Sequence, residues 1–166
     1  MCGICGEFRS DSRTPSLSAV ERMSEQIAPR GPDGAGVFSQ ANIALGHRRL
    51  AVIDLSQASA QPMVDNEHGL AIVFNGEIYN YTSLKSDLEE KGHRFFSTGD
   101  TEVVLRSYAE WGKECVGKFY GMFSFAIWER DSGCLVLARY RLGIKPLYYA
   151  NVPGGLRFAS SLTSLL

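Results

Sequence analysis

Leu70-Ala71-Ile72-Val73-Phe74-Asn75-Gly76-Glu77-Ile78-Tyr79-Asn80 is the stretch on which the fold turns. Its first five residues are apolar without a break. A strand with one wet face alternates apolar and polar side chains. A run that is apolar at every position predicts a strand over Leu70–Phe74 with both faces covered. Asn75-Gly76 then ends that strand. Asn-Gly is the strongest short-range signal for a tight hairpin turn. Here a helix follows instead of a partner strand, with Tyr81, Leu84 and Leu88 on one stripe between Asn80 and Lys91, closed by Gly92.

Working outward, Cys2 to Phe8 alternates small and apolar residues and reads as a strand. Leu17, Val20, Met23 and Ile27 recur at helical spacing and predict a helix over Leu17–Ala28. Pro29 and Pro32 end it, and Arg30-Gly31-Pro32-Asp33-Gly34 reads as a turn-rich loop. Val37–Phe38, Ile43–His47 and Leu50–Ile53 read as short strands, and Thr101–Trp111 as a helix. Phe123–Trp128 and Cys134–Tyr140 form a hairpin around residues 129–133. Leu147–Ala150 and Leu156–Ser160 form another around Pro153-Gly154-Gly155. Hairpins require antiparallel sheets, and strands apolar on both faces require cover on both sides. Two antiparallel sheets packed face to face, with helices outside, meet both demands. The expected fold is therefore α+β, a four-layer α/β/β/α sandwich.

Composition narrows the function. The 166 residues suit one domain, 45% hydrophobic and 21% charged. A net charge of −1 speaks for no nucleic-acid or membrane surface. No apolar run approaches the roughly 18 residues that cross a bilayer. The first residues lack the basic start and apolar stretch of a signal peptide. The expected location is the cytoplasm, where all four cysteines stay reduced. Cys2-x-x-Cys5 does not read as a metal site. Zinc needs about four ligands in close pairs, whereas Cys115, Cys134, His47, His68 and His93 are scattered. Nor does it open a helix in a βαβ unit, as a redox pair would.

Cys2 stands directly behind Met1. Removing Met1 leaves a thiol and a free α-amine on one residue. The thiolate is the nucleophile of cysteine chemistry, and an α-amine with a pKa of about 7.7–8.0 can take its proton near neutral pH. The plainer reading is a buried cysteine at a strand start. The Asn75 side-chain amide and the Gly76 backbone N–H are a candidate pair of oxyanion donors. Arg49, between apolar strand segments, is suited to grip a carboxylate with two parallel hydrogen bonds, or else to form a surface ion pair. Asp100 is either a helix N-cap or an anion for a substrate ammonium. Arg49 for a carboxylate, with Asp100 or Glu77 for an amine, describes a pocket for a free α-amino acid.

Five blocks, in order, resemble the glutaminase domain of asparagine synthetases: Met1 through Ile4, Arg30 through Asp33, His47 through Leu50, Asn75 through Asn80, and Leu142 through Tyr149. That family is of class II glutamine amidotransferases with an N-terminal nucleophile fold. The resemblance implies that Cys2 attacks the side-chain amide of L-glutamine while its own α-amine shuttles the proton. It implies Asn75 and Gly76 as the oxyanion hole, Arg49 on the carboxylate, and the backbone of Leu50, Ala51, Val52 and Ile53 along the pocket wall. Glu77 and Asp100 hold the α-amino group, and Arg30 and Asp33 order a loop over the pocket or else hold a turn by an ion pair. His47 has no role as base, because the α-amine fills it. Residues 1–166 are then the N-terminal part of a longer synthetase. No cofactor is expected in this domain; ATP and Mg²⁺ belong to a synthetase domain downstream of Leu166. Two departures fall outside these residues: Ala138-Arg139-Tyr140, where the family has Ala-Arg-Asp, and Ser160-Ser161, where it has Ser-Glu. Several blocks are similar to amidotransferases acting on N-acetylglutaminylglutamine. The alternatives are a catalytically silent glutamine-binding domain on the same fold, and an amidotransferase making an amino sugar or a purine precursor.

Overall fold

The computed structural model describes residues 1–165. Their strands and helices run, in chain order, β1 (Gly3–Arg9), α1 (Leu17–Gln26), β2 (Gly34–Gln40), β3 (Ile43–Arg49), β4 (Met63–Asp65), β5 (Leu70–Ile78), α2 (Tyr81–Glu90), α3 (Asp100–Trp111), β6 (Gly121–Glu129), β7 (Leu135–Arg139), β8 (Tyr148–Val152) and β9 (Gly155–Ala159). The strands form a five-stranded sheet, β2-β3-β1-β9-β8, and a four-stranded sheet, β4-β5-β6-β7. Every pairing between these strands is antiparallel.

The pleat divides each strand's side chains between two layers. Ile4, Ile43, Leu45 and Phe158 of the first sheet meet Ala71, Val73, Ala126 and Trp128 of the second. The opposite face of the first sheet, with Cys5, Ala44 and Ala159, is covered by Val20, Met23 and Ile27 from α1 and its end. The outer face of the second sheet carries Ile72, Phe74, Ile78, Phe123, Phe125 and Ile127. It packs on Leu84 and Leu88 of α2 and on Val103, Val104 and Tyr108 of α3. The result is helix, sheet, sheet, helices: the four layers expected from the apolar run at Leu70–Phe74. Among the described residues no helix is long and apolar enough to cross a membrane.

Several local expectations are corrected. Asn75-Gly76 does not end β5; the strand runs on to Ile78, with Asn75 opposite Ser124 and Gly76 opposite Phe123. A partner strand along the whole of β5 overrides the turn preference of Asn-Gly. Leu50–Ile53 is a loop, not a strand. Its backbone donors go to side chains instead of a ladder: the Leu50 N–H to Cys2 Sγ at 3.3 Å and the Ala51 N–H to Asp33 Oδ2 at 2.9 Å. Gly34, assigned to a loop, already begins β2, and the three-residue β4 has no counterpart in the expected elements. The first helix stops at Gln26, with a single 3₁₀ turn at Ala28–Arg30.

Candidate active site

The same alternation that builds the core delivers the polar residues. Cys2 lies two residues before Ile4, His47 and Arg49 follow Leu45 at steps of two, and Asn75 and Glu77 follow Val73 likewise. Side chains two apart share a face. At one end, therefore, the layer between the sheets changes from apolar to polar. A cleft of about 250 Å³ opens there. Of the residues singled out from the sequence, Cys2, Arg49, Leu50, Val52, Ile53, Asn75, Gly76, Glu77 and Asp100 line it. Ala51 does not, because its backbone is turned to Asp33.

Cys2 is partly buried, and its Sγ lies 3.6 Å from the Leu50 carbonyl while accepting the Leu50 N–H at 3.3 Å. Arg30 Nε donates to the Cys2 carbonyl at 3.2 Å, so the arginine fixes the backbone that bears the thiol. Burial pushes the Cys2 thiol above its ordinary value, opposed by the Leu50 hydrogen bond and the Arg49 charge. A thiol held in its neutral form needs a base before it attacks. Met1, half exposed, also borders the cleft. While it is attached, the Cys2 nitrogen is an amide and cannot serve as that base.

The free donors at Asn75 and Gly76 follow from strand geometry. Just past the end of β5 the Tyr79 N–H meets the carbonyl of Tyr120, the residue before β6, at 2.7 Å, in register with the β5–β6 pairing. Even-numbered residues therefore turn their backbone groups to the other edge. There the Phe74 N–H meets Gln61 Oε1 at 2.6 Å and the Ile78 N–H meets Asp100 Oδ2 at 3.0 Å. Between them the alternation turns the Gly76 N–H towards the cleft. A Cβ at residue 76 would come within 2.7 Å of the Met122 carbonyl and 2.8 Å of the Phe74 ring, so only glycine fits. Asn75 is 1% exposed, and its Nδ2 is buried with no hydrogen-bond partner among the described residues. Such a group is costly to leave unmade, and here it stands beside a free backbone donor.

Arg49 forms no ion pair among the described residues, which removes the surface-pair reading. Its Nη1 donates to the Ser56 carbonyl at 2.8 Å and its Nη2 to the Asp54 carbonyl, pinning the loop that follows it. Asp54 in turn accepts from the Ser56 and Thr98 N–H groups and from Ser59 Oγ. The hydrogen bonds, those of Ser56 and then Thr98 foremost, hold its carboxyl well below the usual carboxylate range. The guanidinium therefore sits at the cleft wall bound to neutral carbonyls. Asp100 is not the helix N-cap; Gly99 is. Burial pushes the Asp100 carboxyl up to about 6, opposed by the Ile78 hydrogen bond and reinforced by the charge of Glu77. His47 is 1% exposed, and burial pulls it down to about 4, so it is neutral at pH 7. Its Nε2 lies 3.3 Å from the Phe74 carbonyl.

The cleft also contains Asp54, Ser59, Gln61, Thr101 and Lys145, which no reading of the sequence singled out as site residues. Lys145, 7% exposed, sits inside a block that was noted. The apolar residues around it, Leu142, Gly143, Ile144, Pro146 and Leu147, were the available signal that the lysine is sheltered. Gln61 carried no such signal.

Comparison with known proteins accords with this geometry. A family model described as "Glutamine amidotransferase domain" matches residues 1–166. Asparagine synthetase [glutamine-hydrolyzing] 3 of Bacillus subtilis is 38% identical over 170 residues, covering 100% of this chain and 27% of that protein. Asparagine synthetase B [glutamine-hydrolyzing] of Escherichia coli is 34% identical over 169 residues, covering 100% of this chain and 30% of that protein. The chain thus spans less than a third of the length of these relatives. Glutamine phosphoribosylpyrophosphate amidotransferase from B. subtilis, in complex with ADP and GMP, superposes with a TM-score of 0.82 at 21% identity, over 99% of this chain and 43% of that one. That likeness is one of fold.

Proposed function

The chain belongs to the glutamine amidotransferase family, and from that premise we propose that its cleft hydrolyses L-glutamine to L-glutamate and ammonia through a thioester on Cys2. One observation carries the residue assignments. The Cys2 thiol, the Asn75 amide (unpartnered among the described residues) and the Gly76 N–H open into a single cleft that Arg49, Glu77 and Asp100 also line. That set of groups suits an α-amino acid: an amide at the thiol, a carboxylate on Arg49, an ammonium on Glu77 and Asp100.

With Met1 removed, the Cys2 α-amine takes the thiol proton and Sγ adds to the side-chain amide carbon of glutamine. The oxyanion is held by Asn75 Nδ2 and the Gly76 N–H. The ammonium returns the proton to the amide nitrogen, the C–N bond breaks, and ammonia leaves. The γ-glutamyl thioester then takes up water by the same amine, and collapse of the second tetrahedral species releases glutamate and restores the thiol. In the whole protein the ammonia would pass to a synthetase domain downstream of Leu166 for an asparagine-synthetase-type amidation, and that domain would be the one to bind ATP and Mg²⁺. The setting is the cytoplasm.

A diazoketone analogue of glutamine tests the assignment. It should alkylate Cys2 and none of Cys5, Cys115 or Cys134, and only in molecules whose intact mass shows Met1 gone. Peptide mapping that places the adduct elsewhere, or full glutaminase activity in a preparation that retains Met1, removes the mechanism.

A further inference from the structure

β4 accompanies β5 only as far as Ile72, which lies opposite Met63. Beyond that point the edge of β5 has no strand partner among the described residues, and it is the edge that faces the cleft. Side chains take the missing strand's place. Gln61 Oε1 accepts the Phe74 N–H at 2.6 Å, and His47 Nε2 lies 3.3 Å from the Phe74 carbonyl. A carbonyl can only accept, so the proton of the His47 ring sits on Nε2 and the ring is a donor there. Gln61 is itself held, its Nε2 donating to Thr101 Oγ1 at 3.1 Å on α3. His47 comes from β3 in the facing sheet, so the two side chains grip one residue from different layers of the fold.

Both side chains are buried. To place the ring there the fold leaves His47 Nδ1 buried and, among the described residues, unpaired. The next two residues after Phe74 are Asn75 and Gly76.

We propose that His47 and Gln61 are positioning residues: gripping both backbone groups of Phe74, they set the Asn75 amide and the Gly76 N–H at the height where the oxyanion forms. This rests on the glutaminase reading of the same cleft. The clamp substitutes for strand pairing while leaving the Gly76 N–H unpaired, which an extended β4 would not. Oxyanion donors act only if held in place before reaction, and a misplacement of about 1 Å can cost around a hundredfold.

The test uses His47→Leu and Gln61→Met, which remove the contacts, and His47→Gln, which restores an amide donor. The removal variants should lower kcat for glutamine about ten- to a hundredfold with KM changed less than about threefold. Cys2 should still react with iodoacetamide at the wild-type rate, because the nucleophile is untouched. His47→Gln should recover most of the lost kcat. Hydrogen exchange over residues 73–78 should quicken in the removal variants while α1 stays protected. Wild-type kcat in either removal variant overturns the proposal. So does a loss of kcat that comes with slowed Cys2 alkylation and faster exchange throughout, which marks a merely structural role. If His47→Leu does not fold, Gln61→Met, which leaves the layer between the sheets intact, decides alone. A wild-type chain without glutaminase activity would sink the parent reading instead, while exchange over 73–78 would still report on the clamp.

Discussion

The layer between the two sheets has two halves built on the same strands. In one half Ile4, Leu45, Val73 and Ala126 close a dry core. Two residues further along those strands, Cys2, His47, Asn75 and Ser124 continue the same face. The apolar half contributes burial, about 1.5–3 kcal/mol for a fully buried aliphatic side chain. The polar half buries Asn75 Nδ2 and His47 Nδ1 without partners among the described residues, each a cost of roughly 1–3 kcal/mol. Pleat and register are shared, so the difference lies only in which residue follows at a step of two. The fold thus concentrates stability at one end of the layer and reactive, under-satisfied groups at the other.

The sharpest way to break this contrast is to mutate one residue in each half. Cys2→Ala should take glutamine hydrolysis below detection while leaving Tm where it is, since alanine fills a similar space at a partly exposed position. Leu45→Ala should do the reverse, removing about 2–5 kcal/mol of stability while the folded fraction keeps its kcat/KM. Thermal unfolding and glutamate release measure both. If Cys2→Ala unfolds the protein as Leu45→Ala does, the two halves are not separable.

Asn75→Ala comes next in size. It should lower kcat by about 10²–10³ with little change in KM, the expected cost of losing one oxyanion donor. Stability should hardly fall, because the deleted amide has an unpaired donor in the folded state. Near-normal kcat with a raised KM would make Asn75 a ground-state contact instead.

The two halves also differed in how far the sequence revealed them. The apolar half was legible, because an unbroken run such as Leu70–Phe74 can mean little else when hairpins surround it. The individual residues of the polar half were legible too, through the motif blocks around Cys2, Arg49 and Asn75. Their local structure was not. Asn75-Gly76 carries the chemistry of a turn, yet the nine residues of β6 hold it in a strand. Leu50–Ile53 has the composition of a strand, yet Cys2 and Asp33 take its backbone donors. Gln61 was invisible because its role comes from where β4 stops, and a three-residue strand leaves almost no periodic trace.

Arg49→Ala sharpens the contrast within the cleft, between the groups proposed to react and the group proposed to hold the carboxylate. The substrate carboxylate feels little change as the amide reacts, so losing Arg49 removes uniform binding. A charge-assisted contact of about 1.5–3 kcal/mol converts to roughly ten- to a hundredfold in KM, with a smaller effect on kcat. Arg49→Lys should rescue only in part, for want of the two-pronged contact. The wild type should strongly prefer glutamine to 4-aminobutanamide, which lacks the carboxylate, and Arg49→Ala should not. A mutant that keeps the wild-type preference would place the carboxylate elsewhere.

The smallest effect separates what Asp100 does for stability from what it does for binding. Burial raises its carboxyl to about 6 in the folded chain, against about 3.9 when unfolded. Between those values the folded state binds more protons than the unfolded one, so ionising Asp100 erodes stability as pH rises from about 4 to 6, and the loss is complete above that. His47 works the other way. It is held down to about 4 against about 6.5 unfolded, so its contribution is lost as pH falls through that window. The two slopes oppose, and only a variant can resolve them. In Asp100→Asn the side-chain amide oxygen could still accept the Ile78 N–H, so this variant should match the wild type at pH 4 and exceed it at pH 7. The gain should be about 1–2 kcal/mol, once the loss of a carboxylate from the first turn of α3 is set against relief of a buried charge. The same change removes an anion from the proposed ammonium site, so KM for glutamine should rise roughly tenfold at pH 7. In the wild type KM should climb as pH falls below about 6, whereas in Asp100→Asn it should be flat there. A variant less stable than the wild type at pH 7 would show that the charge is compensated where it sits. An unchanged KM would leave Glu77 as the sole partner of the ammonium.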